Sequence, residues 1–439
     1  MIPMAKQMKD SGVEWIGEIP DNWSVFKTLR LLDMPITDGP HETPSLYDEG
    51  IPFISAEAVS CGCGGIDFSR KRGYISREYY VECCKKYTPR LHDIYMIKSG
   101  ATTGRVSMVD TEVEFAIWSP LAVFRANSKK IAPRYLFYSL QADYYQNQIS
   151  LSWSFGTQQN IGMRVLEQLK LAVPVVEEQQ KIVEFLDSKC TEIDKVVEQT
   201  RATIEEYKKL KQAIITDAVT KGVRGPRPMK PSGLEWIGDI PEEWCMKRFK
   251  YLGTYRNGLT YKPEELSDSG ILVLRSSNIQ NGQIALEDNV YVDSVIKDEL
   301  KVRKGDILIC SRNGSRELIG KNAIIKDDMD ASFGAFMMIF RSNSPEYMRY
   351  ILNSSVFSYY LASFFTATIN QLTANNFGNM KVPFCSNLEE QKGIIDFLDA
   401  KCAEIDCIIE KKEQLIEELG SYKKSLIYEY VTGKKEVTA

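Results

Sequence analysis

One phrase occurs twice in this chain, and that repeat limits the possible folds more than any other feature. Ser11-Gly12-Val13-Glu14-Trp15-Ile16-Gly17-Glu18-Ile19-Pro20, followed by Trp23, returns as Ser232-Gly233-Leu234-Glu235-Trp236-Ile237-Gly238-Asp239-Ile240-Pro241, followed by Trp244. Nine of the thirteen positions from Ser11 to Trp23 are identical. A second stretch also repeats. Glu177-Glu178-Gln179, with Ile182, Phe185, Leu186, Asp187, Cys190 and Asp194 beyond it, matches Glu389-Glu390-Gln391, with Ile394, Phe397, Leu398, Asp399, Cys402 and Asp406. The offset is 221 for the first pair and 212 for the second, so two units share their edges and differ in the length between them. A repeat on this scale decides the architecture before any local reading.

At 439 residues the chain exceeds a single core, and two or three domains are expected. No apolar run approaches the ~20 residues of a membrane span. Lys6 and Lys9 near the start have no apolar stretch behind them, so no signal peptide is expected and the chain reads as cytoplasmic. Ten cysteines without a framework suit a reducing compartment. The one cluster, Cys61-Gly62-Cys63 with Cys83-Cys84, lacks the usual Cys-x-x-Cys pair, and no metal site is expected. The net charge is −4, and residues 382–439, with 8 basic against 12 acidic side chains, account for the excess. Binding to nucleic acid would therefore rest on local patches and on a more basic partner.

Trp23 to Leu31 alternates like a strand, and the following Asp38-Gly39-Pro40-His41-Glu42-Thr43-Pro44 must be a turn, because Pro40 and Pro44 lack donors. Short apolar runs at Ile51 to Ile54, Asp93 to Ile97 and Arg105 to Val109 predict strands, and Pro133 to Gln148 has helical periodicity. After Pro174 a long helix is predicted from Glu177, whose acidic first turn favours the helix dipole. Its seam of Ile182, Phe185, Leu186, Ile193, Val197, Ile204, Tyr207, Leu210 and Ile214 continues without Gly or Pro to Gly222. A second seamed helix starts at Glu389, and each is the other's natural partner in a coiled coil. Between them the second middle repeats the grammar of the first: Gly270 to Asn278 stands where Gly50 to Ser55 stands, and Gly305 to Gly314 where Asp93 to Gly100 stands.

Catalytic signatures are missing. Only His41 and His92 are present, which nearly excludes His-based triads. Gly314 to Lys321 has one residue too many for a phosphate loop, and Asn322 stands where Ser or Thr would bind magnesium. No Asn-Pro-Pro-aromatic signature of adenine methylation occurs.

The repeated phrase, the Glu-Glu-Gln helix starts and the two unlike middles resemble the specificity (S) subunit of type I restriction-modification enzymes. The local signals are Asp38-Gly39-Pro40-His41 with Thr43-Pro44, Gly50-Ile51-Pro52-Phe53-Ile54, and Gly305-Asp306-Ile307-Leu308 with Gly314. At His92-Asp93 the first repeat departs from Gly-Asp, which concerns only a local turn. The resemblance implies an α+β chain with pseudo-twofold symmetry: two tandem α/β target recognition domains separated by two long antiparallel helices forming a coiled coil. Its expected divisions are an N-terminal shared segment (1–22), a first recognition domain (23–172), a central helix and linker (173–230), a second recognition domain (231–381) and a C-terminal helix (382–439). It also implies a non-catalytic role, with each domain reading half of a split sequence in double-stranded DNA. The expected partners are two methyltransferase (M) subunits and two restriction/translocase (R) subunits. No cofactor is expected on this chain; S-adenosylmethionine, ATP and magnesium belong to those partners.

Reading bases takes Arg for guanine and Asn or Gln for adenine, presented on loops, with half-sites about one turn (~34 Å) apart or somewhat less. Candidates in the first domain are Arg70, Lys71, Arg72, Ser99, Thr102, Thr103, Arg105, Gln158, Gln159 and Asn160. In the second they are Arg275, Ser276, Asn278, Arg312, Asn313, Arg316, Lys321, Asn370, Gln371, Asn375 and Asn376. A loop Arg or Asn is more often only solvated or turn-forming, so a minority of these is expected to touch DNA. His41 is read as ordering its turn, and Trp15 and Trp236 as docking the phrase onto a helix end. Two rivals are a coiled-coil adaptor or silent allele without DNA-reading activity, and an enzyme with an unrecognised site.

Overall fold

The computed structural model describes residues 7–60, 64–155, 159–364 and 370–437. The chain divides into two compact units, one of Met1–Thr200 with Gln414–Ala439 and the other of Arg201–Glu413. Both have the same plan.

In the first unit the repeated phrase is a small hairpin, Met8–Asp10 against Glu18–Pro20, with Met8 opposite Pro20. Gly17 takes the left-handed φ of 68° that the return requires. Ile16, Ile19 and Trp23 go into the core, where they meet Leu426, Ile427, Tyr430 and Val431 of the second long helix. A four-stranded antiparallel sheet follows, ordered Thr37–Asp38, Leu121–Phe124, Ile94–Ile97, Val106–Met108. All four residues of Ile94–Ile97 are buried, because both faces of the sheet are covered. Ile94 and Met96 face the helical core, while Tyr95 and Ile97 join Ile54, Phe115 and Ile117, the two-residue period of a strand. A second sheet is ordered Gly73–Ile75, Ile51–Ile54, Ala116–Ile117, and its last pair is parallel, Ile54 opposite Ile117.

The first long helix runs Val176–Lys221, 46 residues, with Glu177 and Glu178 in its first turn. Within this unit it packs antiparallel on the end of the second long helix. Phe185 lies 4.4 Å from Tyr430 between ring centroids, and Lys423 donates to Asp194 at 2.6 Å. Buried Gln179 ties the helix start to the domain, donating to the Lys130 and Pro174 carbonyls and accepting from the Ala132 N–H.

The second unit repeats the arrangement. Met229–Pro231 pairs with Asp239–Pro241. Its main sheet is ordered Gly253–Asn257, Met337–Ser342, Ile307–Cys310, Asn322–Ile324. Its other sheet ends in a parallel pair, Leu274 opposite Phe333. The second long helix runs Leu388–Val431, 44 residues. Here it packs antiparallel on the first, with Lys211 donating to Asp406 at 2.6 Å and Lys412 over the Tyr207 ring. Buried Gln391 donates to the Cys385 carbonyl, as Gln179 does to its own domain. Glu390, also buried, pairs with Arg227 from the linker.

An ion pair to a buried aspartate fastens each main sheet. Arg125 grips Asp93 through two bonds of 2.7 Å, and Arg341 grips Asp306 at 2.6 and 2.7 Å. His92 and Gly305 precede these aspartates with φ of 69° and 86°, so the departure from Gly-Asp changes the side chain and not the turn.

Several expectations change. The strand from Trp23 stops at Lys27, and Thr28–Leu31 is a 3-10 turn that ends the alternation. The helical stretch after Pro133 is two helices, Pro133–Gln141 and Asp143–Leu151, broken at Ala142, whose ψ of 142° is extended. Trp236, read as docking the phrase onto a helix end, stacks on Tyr359 (4.3 Å) and meets Tyr360 edge-on near the C-terminal end of the short helix Ser355–Phe364, not on either long helix. Trp15 remains 38% exposed. The tryptophans that lie deep in the units are Trp23 and Trp244. Among the described residues no helix is long and apolar enough to cross a membrane, and no group of three His, Cys, Asp or Glu could hold a metal ion. Cys61 and Cys63 lie outside the described residues.

Candidate nucleic-acid interface

In the first unit, loops from separate stretches meet beside the parallel strand pair. Gly39 approaches this pair so closely that a Cβ would sit 2.0 Å from the Ile117 carbonyl oxygen. Next to it Asp38 is fully buried, and three cationic or potentially cationic groups reach its carboxylate: Lys86, Lys98 at 3.2 Å and His41 Nε2 at 3.1 Å. Burial alone would push this carboxyl up; Lys86 and Lys98 outweigh it and hold the group below its ordinary value. The turn that begins at Asp38 is thereby clamped to the loop that begins at Lys98, and His41 belongs to the clamp.

The clamp positions the candidates. Trp118 donates Nε1–H to the Glu42 carbonyl at 3.1 Å, and the Arg72 guanidinium lies 3.8 Å from its ring centroid. Lys98 N–H donates to the Pro120 carbonyl at 2.8 Å, and Ser99 forms a β-bridge with Asn160. Arg72, Ser99 and Asn160 thus converge around residues 118–120. Thr102 and Thr103 lie in the same loop, where Thr103 Oγ1 closes the turn on the Gly100 carbonyl at 2.7 Å. Arg105 donates to the Ser60 carbonyl at 2.6 Å. Arg70 faces Asp67 at 3.4 Å, and Lys71 lies over Tyr74. Gln158 and the side chain of Gln159 lie outside the described residues.

The second unit builds the same frame from other side chains. A Cβ on Gly258 would sit 2.2 Å from the Phe333 carbonyl oxygen, as on Gly39 in the first unit. Arg312 bridges to Gln371, the counterpart of Ser99 to Asn160. The Ser311 and Arg312 N–H groups both donate to the Phe336 carbonyl, at 2.9 and 3.1 Å, as Lys98 does to Pro120. Asn313 Nδ2 donates to Ser276 Oγ at 3.1 Å. Ser276, Arg312, Asn313 and Gln371 therefore stand together, with Asn370 adjoining.

The remaining candidates are more committed. Arg275 is paired with Asp288 at 2.8 Å. Asn278 is fully buried, accepting from the Arg275 N–H and donating to the Ala285 and Asp288 carbonyls; it folds its loop and has no exposed edge to offer a base. Asn375 accepts twice from the Asn379 amide, and the Asn376 N–H is capped by Thr373, both in the short helix Ala374–Asn379. Arg316 opens a 3-10 turn, Arg316–Leu318, and half-buried Lys321 closes that loop. The segment does not fit a phosphate cradle, since Lys321 leads into the strand Asn322–Ile324 and not into a helix N-terminus. Sequence reasoning missed Trp118, whose only trace is a ring beside Ser119-Pro120, and Phe336, which reads as one more apolar residue of the run Ala335 to Phe340.

A profile of the Type I restriction modification DNA specificity domain matches residues 42–206 and again residues 241–418. The chain belongs to that family. It is 26% identical to the type I restriction enzyme MjaVIII specificity subunit of Methanocaldococcus jannaschii, over 95% of this chain and 94% of that protein. It is 31% identical to the StySPI specificity subunit of Salmonella potsdam over 45% of this chain, a match that spans 44% of that protein's length. Among solved structures, a chain from work on complex assembly and conformational transition of the type I R-M system superposes with a TM-score of 0.68. That match covers 95% of this chain and 99% of the other at 16% identity, a likeness of fold. In this specificity-family chain the profile falls once on each unit's sheets and candidate loops, so the two frames are two copies of one module.

Proposed function

We propose that this chain is the sequence-reading, non-catalytic subunit of a type I restriction-modification complex. Residues 23–172 read one half of a split DNA target and residues 231–381 the other, with the long helices setting the gap. Two methyltransferase subunits dock on the shared edges, and two restriction/translocase subunits join for cleavage. S-adenosylmethionine, ATP and magnesium sit on those partners, and the assembly works in the cytoplasm.

One observation carries the reading: equivalent places in the two frames hold different polar or apolar side chains. Ser99 stands where Arg312 stands, Asn160 where Gln371 stands, and Pro120 where Phe336 stands. A pure adaptor that binds the same protein twice would keep its contacts alike; a reader of two unlike half-sites would keep the frame and vary the contacts. The near balance of charge in both middles fits a chain that adds specificity while more basic partners supply phosphate contacts.

The test is expression with the neighbouring methyltransferase subunit in a methylation-free host, with modified adenines mapped by single-molecule sequencing. A split motif with a fixed gap is expected, and exchanging residues 23–172 should change one half only. A stable complex that adds no methylation would favour the adaptor or silent-allele reading.

A further inference from the structure

Phe336 is the feature the reading surface does not yet explain. It is 57% exposed, yet its backbone is pinned by the Ser311 and Arg312 N–H groups, so the ring is held in place and not trailing on a mobile tip. The Arg312 guanidinium lies over it, 5.2 Å from the ring centroid. The Arg312 side chain is exposed, and its guanidinium makes no hydrogen bond or ion pair to the described residues, so the donor fork remains available. A large apolar ring and an unpaired bidentate donor thus stand side by side, next to Gln371 and Asn313.

We propose that Phe336 is a specificity-determining residue that packs on the C5-methyl group of a thymine in the half-site read by residues 231–381. Arg312 takes the O6 and N7 of a neighbouring guanine. The inference rests on the reading proposed above and deepens it. Apolar side chains recognise thymine in the major groove through that methyl, and the Arg fork matches guanine there. An exposed aromatic can also serve as a wedge between stacked bases, which needs both faces of the ring. Here the guanidinium covers one face, leaving the edge and the other face for lateral contact. The equivalent place in the first unit holds Pro120 beside Ser99, so this pair belongs to one half-site alone.

The experiment uses the full chain in complex with its methyltransferase subunits, on duplexes carrying the mapped motif. Each thymine of the second half-site is replaced singly by deoxyuridine, which removes only the methyl group, and affinity is measured by fluorescence anisotropy. At one position the wild-type complex should lose about 4-fold, the equivalent of one apolar carbon. Phe336→Ala should weaken binding to the thymine duplex and lose its sensitivity to deoxyuridine at that position; Phe336→Leu should keep part of it. An equal loss on both duplexes, no sensitive thymine, or a second half-site without thymine on either strand would overturn the inference while leaving the bipartite reading intact. If no half of the motif depends on residues 231–381, the underlying reading fails instead.

Discussion

Gly39→Ala gives the most direct access to how the first recognition domain holds its reading loops. The added Cβ would lie 2.0 Å from the Ile117 oxygen, 2.6 Å from the Ile117 carbonyl carbon and 2.8 Å from the Trp118 carbonyl carbon. All three are backbone atoms in or next to the parallel strand pair, so none can swing aside. Reaching an ordinary carbon–oxygen contact requires about 1.3 Å of separation between the turn and the strand. That shift breaks the Ser119 N–H bond to the Pro40 carbonyl and the Trp118 Nε1–H bond to the Glu42 carbonyl, about 1 kcal/mol each. Residual overpacking adds about 1–3 kcal/mol. The sum, roughly 3–5 kcal/mol, is a large share of a domain's stability, and at about 2–4 °C per kcal/mol it should lower one melting transition by roughly 6–20 °C. Calorimetry of the purified chain reads this directly, with Gly225→Ala as the control, because a Cβ there meets nothing within 4 Å. Methylation mapping should then show relaxed recognition in one half-site. A Gly39→Ala chain that melts within 1 °C of the parent would refute the close-approach argument.

Three further outcomes follow from the geometry. His92→Gly should stabilise the first unit by about 0.5–1 kcal/mol, since His92 holds a left-handed φ of 69°, seen as a raised melting temperature. Gly420→Ala, in an exposed turn of the second long helix with nothing within 4 Å of the new Cβ, should add about 1 kcal/mol by the same measurement. Arg227→Met should cost about 3–5 kcal/mol by leaving buried Glu390 without its main partner. Burial pushes the Glu390 carboxyl up, but Arg227 outweighs it and the group lies below its ordinary value. In the parent this stabilisation is therefore present above the usual carboxylate range and lost only as pH falls through the lowered folded value. In the variant burial dominates, so the deficit should shrink as pH falls from 7 towards 5; a deficit constant over that range would contradict the assignment.

The architecture was legible because its signals are local or duplicated. The seam from Ile182 to Ile214 and the acidic starts at Glu177 and Glu389 need no tertiary knowledge to read as long helices. What stayed hidden depends on residues distant in sequence. Arg125 and Arg341 pair with aspartates 32 and 35 residues earlier, and no periodicity announces such a pair. Arg134 and Arg349 occupy different positions in their helices, yet reach the equivalent carboxylates Asp187 and Asp399, which also accept from Tyr138 and Tyr350. Among the candidate readers, Asn278 and Ser276 look alike as loop polar residues. Only the fold separates the buried amide, saturated by Ala285 and Asp288, from the hydroxyl that meets Asn313.

The composition of the first unit also bears on the order in which a newly made chain can fold. Its core joins Ile16 and Trp23 to Leu426, Ile427, Tyr430 and Val431, whereas the second unit is one continuous stretch, Arg201–Glu413. On the ribosome, where domains fold as their residues emerge, the later-made unit can close first. The earlier one must wait with an open flank for the final turns of the second long helix. A frameshift or early stop near residue 414 would thus spare the unit nearest to it and unfold the one synthesised first.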